Sequence, residues 1–247
     1  MKVMNKNKCY FPWENKFYNV ISEFIKNDKI NFDEHYIEAM NFYHRTLNEY
    51  YCGGDFIIQP RFRRAGKKYN DCKCEHKNIG DVWEESVDYL VKDVRLPFNY
   101  ESWPNGKSEF PDAKETTLDI DYKALNCDGV YTENNKRHYP VGMLKNTNGH
   151  NGLGTLTDED FINAIKIYKQ TGVLCEHLKS LIVMGVYQKT FNEFGQRVHK
   201  ILNVIVAPAI FLVDFKKDGT LALRNKKVTI SARQLNFEWA CKTLEIK

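Results

Sequence analysis

Over the first fifty positions apolar residues recur at the spacing of helix faces. Phe17, Val20, Ile21, Phe24 and Ile25 fall three or four apart and predict one helix. Asn31 with Glu34 three residues on has the form of a capping box. Tyr36, Ile37, Met40, Tyr43 and Leu47 then line one face of a second helix, which Gly53-Gly54 breaks. A third helix is expected over 81–94, after Gly80. Turn residues follow at Trp103-Pro104-Asn105-Gly106. Residues 118–125 alternate instead with period two, so Asp119, Asp121 and Lys123 share one face of a strand and Ile120, Tyr122 and Ala124 the other. Residues 131–156 read as a long polar loop. A fourth helix opens with Thr157 as N-cap, Asp160 three residues on and Leu156 packed on Phe161, and stops near Gly172. Strands are expected at 180–188 and 204–215, a turn at Lys217-Asp218-Gly219, and weakly alternating strands beyond.

That order predicts an α/β (α+β) fold, a central mixed β-sheet flanked by helices. The 247 residues fit one domain. Its expected parts are a helical and basic region (1–79), a core (80–190) and C-terminal strands (191–247). With 43% hydrophobic residues a sizeable core can form, which excludes a disordered chain. No apolar window reaches the ~18 residues of a membrane span, and the opening MKVMNKNK lacks the apolar core of a secretion signal. A cytoplasmic protein without membrane contact is therefore expected. The seven cysteines are odd in number and irregularly spaced, which argues against a disulfide framework. Cys72, Cys74 and His76, with Cys52 upstream, hint at zinc, but they lack the usual paired spacing, and unligated loop cysteines are the stronger expectation.

Net charge is only +4, so the distribution of charge matters more than the total. Residues 61–77 concentrate Arg61, Arg63, Arg64, Lys67 and Lys68, interleaved with Phe62 and Tyr69, as an arm that contacts DNA phosphates would. Asn134, Lys136 and Arg137 lie in the polar loop, and Asn and Arg are the residues that read adenine and guanine edges. Arg224, Arg233 and Gln234 form a further candidate DNA-facing region near the C-terminus.

The chemistry concentrates in Phe110-Pro111-Asp112 and Asp121-Tyr122-Lys123. A hairpin turning at 114–117 would return Asp112 beside the strand that carries Asp121 and Lys123. Two carboxylates at such a point can hold Mg²⁺ while leaving positions for water and a phosphate oxygen. The ammonium can orient the attacking water and offset charge in the transition state. Pro111-Asp112 followed by Asp121-Tyr122-Lys123 resembles the motif of the PD-(D/E)xK nuclease superfamily, and chain length and flanking elements look most like a type II restriction endonuclease. The resemblance covers roughly residues 80–188. It implies a restriction-endonuclease-like core with N-terminal helical and C-terminal additions, and an acidic residue on the helix before the motif, which Glu84 or Glu85 would supply. It also implies Mg²⁺-dependent cleavage of duplex DNA at a short specific sequence by a homodimer. A nuclease without base specificity, or a DNA-binding protein without catalysis, are the competing expectations.

Overall fold

The computed structural model describes residues 9–10, 14–27, 36–52, 57–58, 83, 87, 100–102, 113–115, 118–127, 131–133, 136–138, 144–145, 152–191, 193–195 and 197–245. Its strands are β1 (Cys9–Tyr10), β2 (Ile57–Ile58), β3 (Tyr100–Ser102), β4 (Ala113–Glu115), β5 (Leu118–Cys127), β6 (Tyr131–Glu133), β7 (Lys136–His138), β8 (Leu144–Lys145), β9 (Gly152–Thr157), β10 (Leu181–Phe191), β11 (Arg197–Pro208), β12 (Leu223–Arg224) and β13 (Lys227–Thr229). Its helices are α1 (Glu14–Lys26), α2 (Tyr36–Cys52), α3 (Asp158–Thr171), α4 (Glu176–Lys179) and α5 (Gln234–Thr243). Trp83 and Val87 are also helical. The fold is mixed α/β, and among the described residues no helix is long and apolar enough to cross a membrane.

The main sheet runs β2-β11-β10-β5-β4-β3, with β8 pairing the end of β5. β3, β4 and β5 form an antiparallel meander, β5 and β10 are parallel, and β10 and β11 are antiparallel. A parallel pair needs a crossover connection, and the chain between β5 and β10 contains α3. Two small sheets accompany it, β1-β7-β6 and β12-β13-β9.

Strand β10 reads as a continuous apolar run because both of its faces are covered. Residues 181–187 of β10 are all buried. One face of β10 meets the helix of Trp83, whose indole lies against Gly185 and donates Nε1–H to the Val183 carbonyl at 3.3 Å. Tyr51 of α2 packs on that indole with ring centroids 4.9 Å apart. Past β2, which among the described residues pairs with His199 and Lys200, the outer edge of β11 is closed by side chains. The Asn48 amide donates to the Val204 carbonyl at 2.7 Å and accepts from the Val204 N–H at 3.1 Å, as a neighbouring strand would. The Tyr18 hydroxyl accepts from the Val206 N–H at 3.1 Å. Unpaired edges invite wrong pairings, and α1 and α2 remove this one. An aromatic cluster of Phe17, Phe24, Tyr168, Phe211 and Phe237 ties α1 to α3, to the 3₁₀ turn Ala209–Phe211 and to α5.

Several expectations are met locally. α3 has the capping box read from the sequence: Thr157 Oγ1 accepts from the Asp160 N–H, and Asp160 accepts from the Thr157 N–H. Gly172 ends it at φ 73°, a left-handed conformation that glycine adopts without steric cost. At the turn before β12, Thr220 donates to the Asp218 carboxylate from both hydroxyl and backbone, holding its pKa below the usual carboxylate range.

Other expectations differ. The stretch 131–156 contains the short strands β6 to β9 where a polar loop was expected. Strand β11 starts earlier than 204 and ends at Pro208, which has no N–H to extend the ladder. The C-terminal region, expected as strands, closes with α5. That helix is short and its N-cap, Arg233, makes no side-chain cap, so the usual start signal is missing; Asn236, Phe237 and Ala240 bury its inner face. Asn31 and Glu34, Gly53-Gly54, Gly80 and Trp103–Gly106 lie outside the described residues.

Candidate functional site

Alternation sets what the sequence of β5 can present. Ile120, Tyr122 and Ala124 are the register partners of Leu181, Val183 and Gly185, the face of β10 that Trp83 covers. Asp121 and Lys123 are the partners of Ile182 and Met184, on the opposite face. The hairpin ladder carries that second face outward. Lys114 pairs with Asp119, and Glu101 pairs with Lys114. Paired residues lie on the same side of a sheet. The positions of Glu101, Lys114, Asp119, Asp121 and Lys123 therefore belong to one face of β3, β4 and β5. Neighbouring strands are about 4.8 Å apart and alternate residues about 6.6 Å apart, so these positions form a patch rather than a line.

The predicted hairpin is present: its strands β4 and β5 pair antiparallel up to Glu115–Leu118, and 116–117 between them lie outside the described residues. The last described pair is Ala113–Ile120. Asp112 directly precedes Ala113 in the chain, and Asp121 directly follows Ile120. Asp112 itself lies outside the described residues, as do Glu84 and Glu85. The helical position of Trp83, the residue before Glu84, is across the sheet from the Asp121 row. Sequence reasoning passed over Glu101 and Lys114 as parts of this face. Only strand pairing could have revealed them, because neither is near Asp121 in the period of its own segment.

The proposed DNA contacts divide similarly. Arg61, Arg63, Arg64, Lys67, Lys68 and Asn134 lie outside the described residues. Lys136 and Arg137 sit in β7, paired with Glu133 and Thr132, and Arg137 also pairs with Cys9 of β1. Arg224 is exposed in β12. Arg233 is committed within the fold: its guanidinium forms an ion pair with Asp214 and donates to Ser231 Oγ at 3.2 Å. Gln234 begins α5, where its amide donates to Glu238 at 2.6 Å. Cys72, Cys74 and His76 lie outside the described residues, and Cys52 is the last residue of α2.

No family model, curated protein or solved structure matches this chain.

Among the described residues, no group of three or more His, Cys, Asp or Glu side chains is arranged to hold a metal. The hairpin face is instead defined by register. Its acidic positions offer hard oxygen donors, the kind Mg²⁺ prefers, and its two lysines offer point charges for a phosphate.

Proposed function

We propose that this chain is a Mg²⁺-dependent endodeoxyribonuclease of the restriction type, acting on duplex DNA, with Asp112, Asp121 and Lys123 at its centre. The observation that carries the reading is the register of the β4–β5 hairpin. It sets Lys114 opposite Asp119 on the face of Asp121 and Lys123, and it ends one residue short of an Asp112–Asp121 pairing. The mixed order of the main sheet, with a helix in the crossover before β10, agrees with a central mixed sheet flanked by helices.

In this reading Asp112 and Asp121 hold the metal, with Glu101 or Asp119 as additional oxygen donors. Bound Mg²⁺ supplies Lewis acidity at the scissile phosphate. Lys123 orients the attacking water and offsets charge that grows in the transition state. Lys114, on the same face, neutralises a phosphate oxygen. A palindromic target would call for a two-fold homodimer.

The test is digestion of plasmid DNA with Mg²⁺ by the wild-type chain, Asp121→Asn and Lys123→Ala. Discrete fragments that vanish in Asp121→Asn support the restriction reading. A smear moves the assignment to a nuclease without base specificity. For Lys123→Ala, single-turnover cleavage should fall by a factor of ~10²–10³ with DNA binding little changed, since the charge acts mainly in the transition state. Intact plasmid with the wild-type chain, or wild-type rates in both variants, refutes the proposal.

A further inference from the structure

The β10–β11 hairpin outruns the sheet it belongs to. Pairing of β10 with β5 ends at Tyr187–Asn126, while pairing with β11 continues to Phe191–Arg197. From Gln188 onward the two strands form a ribbon, joined on its outer side only by β2 at His199 and Lys200 among the described residues. His199 and Lys200 are the partners of Lys189 and Gln188, so the part with two strands alone is Thr190–Phe191 with Arg197–Val198, about 7 Å long. Near its tip stand Phe191 and Phe194, 66% and 77% exposed, the most exposed large apolar residues among those described. Exposed aromatics on a projecting element cost solubility unless something covers them.

Register defines the two faces of the ribbon. Lys189 pairs with His199 and Phe191 with Arg197, so Lys189, Phe191, Arg197 and His199 occupy one face. Within 188–200 the cations Lys189, Arg197 and Lys200 face a single acidic residue, Glu193.

We propose that this ribbon is a duplex-DNA contact that enters the major groove, with Lys189 and Arg197 on phosphates flanking the groove and Phe191 against base edges. The major groove is ~12 Å wide and ~8.5 Å deep and admits a two-stranded ribbon. Charge decides between this occupant and a second copy of the chain. Packing two such faces together would bring Lys189 and Arg197 against their own copies, whereas a polyanion complements them. The inference rests on the reading that the ligand is DNA, and it adds where the duplex is held.

The experiment is a fluorescence-anisotropy titration of a labelled mixed-sequence duplex in EDTA, repeated over a range of salt concentrations. It compares the wild-type chain with Lys189→Ala/Arg197→Ala, with Phe191→Ser, and with Lys166→Ala/Lys217→Ala, two exposed lysines elsewhere. Circular dichroism checks that each variant is folded. The ribbon pair should bind on the order of tenfold more weakly or worse, and its log–log salt slope should fall by about 1.8, close to 0.9 per lost phosphate contact. Phe191→Ser should weaken binding without changing the slope, and the distant pair should match wild type. Unchanged affinity and slope in the folded ribbon pair overturns the proposal, as does a wild-type chain that binds no duplex. Dissociation of a dimer by Phe191→Ser in sedimentation, with DNA binding intact, also overturns it and assigns the ribbon to a copy–copy interface. Cleavage is read separately with Mg²⁺. Binding through the ribbon without cleavage refutes the nuclease reading alone, and cleavage with unaffected binding refutes the ribbon alone.

Discussion

Gly185 is a position where a single methyl group tests the architecture around the candidate site. A Cβ built there would lie 2.7 Å from Trp83 Cε2, 2.8 Å from Cδ2 and 2.9 Å from Cζ2. Carbon atoms pack at roughly 3.5–4.0 Å, so Gly185→Ala is short of room by about 1 Å against three ring atoms. The ring has little freedom to retreat. It is fully buried, Tyr51 packs on it, and its N–H is bonded to the strand it would have to leave. Overpacking of this kind costs about 1–3 kcal/mol. For a chain of this size each kcal/mol lowers Tm by roughly 2–4 °C. The assay is urea and thermal unfolding of wild type, Gly185→Ala, Trp83→Leu and the double variant. Leucine lacks Cε2 and Cζ2 and can turn its δ carbons away, so Gly185→Ala should cost under ~0.5 kcal/mol in that background, a coupling energy of about 1–3 kcal/mol. A Gly185→Ala variant with wild-type stability, or an equal cost in both backgrounds, would refute the packing described. Because Glu84 and Glu85 directly follow Trp83, single-turnover cleavage by the folded variant also reads whether that helix serves the site.

Asn48→Ala removes both partners of the Val204 backbone at a buried edge, and each orphaned group costs about 1–3 kcal/mol. The variant should lose about 2–5 kcal/mol in chemical denaturation, and a loss below ~1 kcal/mol would mean water satisfies that edge. Burial pushes the Cys241 thiol up to about 11, so at pH 8 its thiolate fraction is ~10⁻³ where an ordinary thiol has roughly a quarter. Iodoacetamide should label Cys241 about a hundredfold more slowly than the unfolded chain, as peptide mapping by mass spectrometry would read. The sign of the linkage follows: above the unfolded thiol pKa the unfolded state holds fewer protons, so this group makes stability fall as pH rises toward 11.

Local signals in the chain carried much of the secondary structure. The stripes of α1 and α2, the Thr157–Asp160 box, the stop at Gly172, the alternation of β5 and the apolar run of β10 are each set by neighbours within a few residues. The pairing of β4 with β5 was legible for the same reason, since the two segments are neighbours in the chain. The short strands over 131–157 and the helix α5 were not. The former depend on partners elsewhere in the chain, β1 for β7 and β13 for β9, and the latter lacks a side-chain cap.

The sequence by itself determined which residues could do chemistry and which face of β5 Asp121 and Lys123 share, because side-chain alternation is a property of the strand alone. The tertiary structure decided what lies beside and behind that face. Lys114 and Glu101 join it through ladders, and β10 aligns Ile182 and Met184 with Asp121 and Lys123 from some sixty residues away. It likewise spent Arg233 on Asp214 and left Phe191 and Phe194 on a projecting ribbon. Pairing between distant segments is chosen by the burial and backbone bonding of the whole sheet, and no short window of sequence contains that information.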